Sequence, residues 1–77
     1  MNPFIGANIL YVLPSGPQAG EARMGLITRV MDNGNASITC LPDPAFDGVG
    51  YIFAAYNVPE DPTKQPGTWH WPTAAQS

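Results

Sequence analysis

The segment ITRVMDNGNASITC, residues 27–40, decides the fold predicted for this chain. Strand-favouring residues lie on both sides of Asn33-Gly34, and this pair supplies the two positive-φ residues of a type I′ turn. The segment therefore predicts an antiparallel hairpin, in which a strand over residues 21–31 returns through residues 36–41.

The rest of the sequence contains further short segments of this kind and no long helical period. Nine prolines and eight glycines interrupt the chain at short intervals, and Ile, Val, Tyr, Phe, Trp and Thr recur between them. Three more strands are predicted, over residues 8–13, 51–57 and 68–71. Five short strands with one tight hairpin predict an all-β, five-stranded SH3-like barrel. An OB-like barrel fits less well, because it usually needs longer strands and an intervening helix.

The length of the chain limits how much core it can build. It has 77 residues and a single cysteine, Cys40, so no disulfide forms within it. A chain of this size buries only about 60% of its unfolded surface and usually needs a staple or a partner. One cysteine and one histidine do not complete a four-ligand metal site. We therefore expect one domain over residues 1–77, with terminal tails at 1–7 and 73–77, that forms a homo-oligomer and uses no cofactor; a compact monomer is the alternative.

The charge balance restricts the partners. The net charge is −3 with only three Lys and Arg residues, which argues against a long nucleic acid, since affinity for it comes from many phosphate contacts. A small anionic ligand needs only one or two cations. The longest clean apolar run, ILYVL at residues 9–13, is too short to cross a bilayer, and the N-terminus lacks the basic start of a signal peptide. With an unpaired cysteine, these features favour the cytoplasm and no membrane partner.

The triplet Trp69-His70-Trp71 is the most distinctive candidate site. In a strand, the two tryptophans share one face and His70 points to the other. In one interpretation the tryptophans close the end of the barrel and His70 is solvated. In the other, the rings form a stacking platform for a planar ligand, with His70 as a nearby donor; base stacking contributes about 1–3 kcal/mol per base.

Two arginines and a tyrosine complete the candidate ligand residues. Arg23 and Arg29 lie six residues apart on one predicted strand, so in a regular strand they point the same way, about 20 Å apart. They do not clamp one phosphate within a single chain, but copies of one arginine converge in a symmetric oligomer. Arg29 is either an outward-facing hairpin residue or a ligand residue. Tyr56, which precedes Asn57, is first interpreted as a core or interface residue. In the alternative interpretation, its hydroxyl is presented to a ligand.

No catalytic motif accompanies these residues. Cys40 is predicted to be a small buried residue, because His70 is its only candidate base and no third group orients that base. The loop carboxylates form no recognisable pair, and no phosphate-binding loop, dinucleotide fingerprint or nucleophile elbow occurs. These loop carboxylates are Asp43, Asp47, Glu60 and Asp61. We expect no enzymatic activity.

Two segments, GEARMGLITRVMDNGNASITCLPD at residues 20–43 and PGTWHWP at residues 66–72, resemble a family of short uncharacterised proteins encoded by tailed bacteriophages and prophages. The resemblance covers about residues 20–72 and is most specific in the terminal Gly-Thr-Trp-His-Trp-Pro. The chain departs from the pattern at Met24-Gly25 and Met31, where the family has Pro-Ala and a tryptophan. The resemblance implies a phage gene product made in a bacterium and supplies no settled function.

The expected function is that of a nonenzymatic phage accessory protein in the host bacterial cytoplasm. It would inhibit antiphage defence by sequestering a nucleotide-type signal at subunit interfaces. Two alternatives remain open at this point: a structural or decoration protein of the virion, and a protein–protein inhibitor of a host defence factor. The expected ligand residues are Trp69, His70, Trp71, Arg29, Arg23 and Tyr56.

Overall fold

The computed structural model describes residues 2–16, 18–41 and 52–72, and within them the chain is all-β with no helix. Five strands form one antiparallel sheet in the order β4-β3-β2-β1-β5, curled into a half-barrel. The all-β class and the five strands are confirmed, with every strand end within two residues of the predicted one. The strands are β1 (Asn8–Val12), β2 (Ala22–Val30), β3 (Ala36–Cys40), β4 (Phe53–Val58) and β5 (Trp69–His70). The predicted tail at 73–77 lies outside the described residues.

The β2–β3 hairpin is confirmed, but its predicted turn type is wrong. The Met31 N–H donates to the Asn35 carbonyl at 2.8 Å, and the Gly34 N–H donates to the Met31 carbonyl at 2.9 Å. Gly34 has a φ of 88°, whereas Asn33 is not in the positive-φ region. The connection is therefore three residues long, with a turn followed by one left-handed glycine. Asn33 acts through its side chain instead, since its Oδ1 accepts from the Asn35 N–H at 2.9 Å.

Two irregularities in the ladders meet at Ser37 in β3. In β2, Ile27 pairs with Ile38 and Arg29 pairs with Ser37, so Thr28 is an extra residue. In β4, Ala55 pairs with Ile38 and Val58 pairs with Ala36, so one extra residue lies opposite Ser37 there as well. A bulge of this kind reverses the alternation of side chains beyond it.

The inner face of the curled sheet is the core. Inward residues come from β1, β2, β3, the end of β4 and β5, which bury one continuous apolar cluster. Cys40 is fully buried in this cluster, as the sequence predicted. Burial raises the pKa of Tyr11, and the adjacent Cys40 thiol raises it further. The buried members are Ala7, Ile9, Tyr11, Leu13, Ile27, Ala36, Ile38, Cys40, Val58 and Trp69.

The segment that follows β4 covers the far edge of the sheet. The Trp69 N–H donates to the Pro59 carbonyl at 3.0 Å, and the Asp61 N–H donates to the Trp69 carbonyl at 2.9 Å. Glu60 thereby forms a parallel bridge with Trp69. Because β4 runs directly into this segment, a few residues carry the chain from one edge of the sheet to the other, which accounts for the curl.

The residues before β1 extend its ladder. The Gly6 N–H donates to the Ile27 carbonyl at 2.7 Å, and the Ile27 N–H donates to the Ala7 carbonyl at 3.0 Å. Ala7 is buried in the core. Within the segment 1–7, predicted as a tail, these two residues therefore belong to the folded domain.

No helix of the described residues is long and apolar enough to traverse a lipid bilayer.

Gly25 is the tightest point of the core. A Cβ at this position would lie 2.8 Å from Ile38 Cγ2, 3.2 Å from the Thr39 backbone oxygen and 3.3 Å from Ile9 Cδ1. The backbone oxygen has no alternative position, so the added methyl group must displace β2 from β3. We predict that Gly25→Ala lowers the free energy of unfolding by about 1–3 kcal/mol, measured by urea denaturation.

A double variant checks the cause of this loss. Ile9→Val removes the Cδ1 atom that the new methyl group would meet, so the two changes together should destabilise the protein by less than the sum of the single effects. A Gly25→Ala variant as stable as the wild type would contradict the close packing.

Candidate functional site

The two tryptophans share the inner face of the sheet, as predicted, but they are not equivalent. Trp69 is 0% exposed and pairs with Tyr11 of β1. Trp71 is half-buried and packs edge-on against Trp69, with ring centroids 5.4 Å apart and an interplanar angle of 79°. Phe4 covers Trp71 from the other side at 6.0 Å and is itself 52% exposed. A planar ligand therefore has no access to the Trp69 ring in this conformation, and only the Trp71–Phe4 pair borders solvent.

Both indole nitrogens are buried without a hydrogen-bond partner among the described residues. A buried donor in this state costs about 1–3 kcal/mol. The two rings are retained despite this cost because each removes a large apolar area from water, which a small core needs. The tryptophans thus serve packing first.

His70 is buried, which corrects the interpretation of a solvated histidine. It is 4% exposed and pairs with Leu10 on the outer face of the sheet. Cys40 faces the core from β3, with β2 and β1 between it and β5. The fold therefore sets Cys40 and His70 on opposite faces of the sheet, an arrangement unsuited to a nucleophile and its base.

Arg23 and Arg29 do not point the same way, because the bulge at Thr28 reverses the alternation between them. Arg23 pairs with Tyr11, and its side chain is nearly buried. Its guanidinium donates to the Ala22 carbonyl at 2.9 Å and forms an ion pair with Glu21 at 3.1 Å. Arg23 is therefore engaged within its own chain.

Arg29 and Tyr56 are the two predicted site residues that the structure places together and in solvent. Arg29 is exposed beside Ser37, and no ion pair involves Arg29 within residues 2–16, 18–41 and 52–72. Tyr56 lies on the other side of Ser37 and is 76% exposed. We call Arg29, Ser37 and Tyr56 the outer-face row. Its ends are two strands apart, so their backbones are about 10 Å apart.

Sequence reasoning missed two residues that build this row. Ser37 is the common partner of both bulges, and Asn57 adopts a φ of 56°, which asparagine tolerates better than most residues. The Asn35 amide donates to Asn57 Oδ1 at 3.1 Å and ties the hairpin turn to β4. The signal available in the sequence was the Tyr56-Asn57 pair, since asparagine after an aromatic residue in a strand is compatible with a bulge.

An apolar surface lies beside the outer-face row. Met24, Leu26 and Ile52 are large, outward-facing and exposed. Leu26 pairs with Thr39, which in turn pairs with Ala54, so none of the described residues on this part of the face is charged. We call Met24, Leu26 and Ile52 the apolar outer face; it is adjacent to β4 and to Tyr56.

The Asp61 carboxylate holds the local turn at residues 61–63. Asp61 Oδ1 accepts hydrogen bonds from the Thr63 hydroxyl at 2.6 Å and the Thr63 N–H at 2.8 Å, and these bonds lower the pKa of Asp61. Asp43 and Asp47 lie outside the described residues. Among the residues described, no cluster of three or more His, Cys, Asp or Glu side chains is placed to hold a metal ion.

Comparison of the chain with protein-family models, with curated proteins and with solved structures gives no match.

The unequal burial of the two tryptophans predicts different fluorescence from two single-tryptophan variants. In Trp71→Phe the remaining Trp69 should emit at shorter wavelength and resist quenching by iodide, because the ion does not reach a fully buried ring. In Trp69→Phe the remaining Trp71 should be quenched more readily. Trp69→Phe should also lower the unfolding free energy more than Trp71→Phe. Equal quenching of both variants would contradict the inequality.

Proposed function

We propose that this protein is a nonenzymatic binding protein of a tailed phage that sequesters a small nucleotide-type anion and so inhibits a host defence signal. The observation that carries the proposal is the outer-face row, in which one exposed cation and one exposed aromatic ring flank Ser37. The proposal includes an SH3-like barrel, which the β1–β4 meander with β5 returning beside β1 supports. It also places the protein in the host bacterial cytoplasm.

The chemistry of the row suits a nucleotide better than a simple anion. A guanidinium offers paired donors to a phosphate, and such charge-assisted bonds are stronger than neutral ones. The Tyr56 ring presents a flat apolar surface on which a base can stack. The buried Ser37 between them sets the separation of the two groups, because both bulges pair with it.

The roles assigned to the other candidates change accordingly. Trp69 and His70 are buried and Arg23 is engaged with Glu21, so these residues support the fold on which the site is built. Trp71 contributes only through the half-buried surface it shares with Phe4. The proposed ligand residues are Arg29 and Tyr56.

Removal of the Arg29 charge tests the proposal. Titration calorimetry with AMP, cyclic di-AMP, cyclic di-GMP and inorganic phosphate identifies the class that binds. Arg29→Gln should then weaken binding by about tenfold or more, since a charge-assisted hydrogen bond is lost. Tyr56→Ala should weaken the binding of nucleotides but leave the binding of inorganic phosphate unchanged.

Lys64→Gln is the matched control, because it removes the same charge at an exposed position outside the outer-face row. It should bind as the wild type does. If none of the four probes binds, or if both glutamine variants lose affinity equally, the outer-face row is not the site.

The apolar outer face favours a second function, that of a virion structural or decoration protein. Exposed apolar side chains without charge are typical of surfaces that become buried in an assembly. This function predicts the protein in purified virions at a fixed copy number, detected by mass spectrometry. A nucleotide-sequestering protein should be found in the infected cell and be missing from the particles.

A further inference from the structure

The outer edge of β4 is one edge of the described sheet, and the bulge opposite Ser37 lies within this strand. β4 pairs with β3 alone among the described residues, and it is the last strand of the sheet on that side. Its segment, Phe53–Val58, contains no charged residue and no proline. At the other edge of the sheet, residues 59–61 pair with β5. An edge of this kind presents a row of backbone donors and acceptors to another chain.

We propose that the partner of this edge is a second copy of the chain, which adds its own β4 in antiparallel orientation about a two-fold axis near Tyr56. The two sheets then form one continuous sheet of ten strands. The inference deepens the proposed function, on which it rests for the ligand, by naming the partner and the junction at which the ligand is held.

The charges of the chain favour antiparallel pairing of two identical strands. Val58 is followed by Pro59 and Glu60, whereas the opposite end of the segment, Ile52–Phe53, is uncharged. Antiparallel pairing sets the acidic end of each strand against the uncharged end of its partner. Parallel pairing would bring the two Glu60 side chains together, which like-charge repulsion opposes. A protein with a net charge of −3 can therefore associate here without bringing acidic groups face to face.

The same junction covers apolar surface that is exposed in one copy. Ile52 is 59% exposed, and Tyr56, the most exposed large apolar residue described, lies on the same face. Antiparallel β4 strands bring both residues against the partner chain, where cross-strand contacts of aromatic and branched side chains stabilise a sheet.

The junction also completes the ligand site. Two tyrosines meet across the axis, and an Arg29 lies two strands away on each side, on the same face. The backbones of the two arginines are then about 24 Å apart, a span that their long side chains narrow when they extend toward the axis. This arrangement suits a two-fold symmetric ligand with two phosphates and two bases, such as a cyclic dinucleotide.

A lysine on the edge tests the pairing. Ala54 is exposed on the outer face of β4, and Ala54→Lys places a charged side chain in the edge strand of each copy, which is a device that natural edge strands use against association. We expect sedimentation equilibrium to give a dimer for the wild type and a dissociation constant raised about tenfold or more for Ala54→Lys. The control is Ala19→Lys, which makes the same change in charge on an exposed turn and should dimerise as the wild type does.

Hydrogen exchange provides a measurement that needs no variant. Amides on the outer edge of β4 should gain protection as the protein concentration rises through the dissociation constant, while those of the 18–20 turn should not. The unfolding midpoint of Ala54→Lys at a concentration where the wild type is monomeric shows that the variant folds. A wild type that stays monomeric, or a dimer equally tight in Ala54→Lys, would overturn the inference.

Ligand titration separates this inference from the proposed function. If the protein dimerises through β4 but binds none of the nucleotide probes, the β4 junction is supported and the proposed ligand is rejected. If the wild type is a monomer that binds AMP and cyclic di-AMP equally well, the outer-face row is supported as the ligand site and the β4 junction is rejected. If both hold, Ala54→Lys should lose more affinity for cyclic di-AMP than for AMP.

Discussion

The backbone of Trp69 is the point on which the closed shape of this domain depends. It pairs with β1 on one side and with residues 59–61 on the other, so it links the last strand of the sheet to the segment that leaves the first edge. The fully buried indole fills the interior that this closure creates. A chain of 77 residues with no disulfide has few other means of holding a curled sheet shut, and one large ring at the seam supplies much of the necessary apolar burial.

The two bulges opposite Ser37 link this scaffold to its outer surface. Each inserts a residue into a strand next to β3, and each reverses the direction of the side chains that follow. On β2, the Arg23 side chain is therefore nearly buried, whereas Arg29 is exposed to solvent. The consequence on β4 is that Asn57 is exposed, where it accepts a hydrogen bond from Asn35, and that Val58 points into the core. One buried serine thereby lies between a cation and an aromatic ring on a chain that has only three Lys and Arg residues.

The outer surface has two parts that differ in the chemistry of their side chains. The outer-face row combines charge, ring and hydroxyl, whereas the apolar outer face has none of these polar groups. β4 borders both, and its outer edge, which pairs with no strand among residues 2–16, 18–41 and 52–72, adds backbone donors and acceptors to the same region. The proposed pairing of two copies at this edge would give the two proposed ligand sites one common entrance.

The sequence by itself determined the number of strands, the hairpin and the burial of Cys40, because alternating apolar residues, turn residues and a small thiol act through local geometry and burial. It predicted that Trp69 and Trp71 share a face, for the same reason. It did not determine the turn type, the opposite directions of Arg23 and Arg29 or the burial of His70. The turn type and the arginine directions depend on the register of β2 against β3, and the burial of His70 depends on the pairing of β5 with β1; a one-residue slip in a ladder reverses every side chain beyond it. Only the tertiary structure decided that Arg29 and Tyr56 lie together, because Ser37 brings them there from opposite sides of β3.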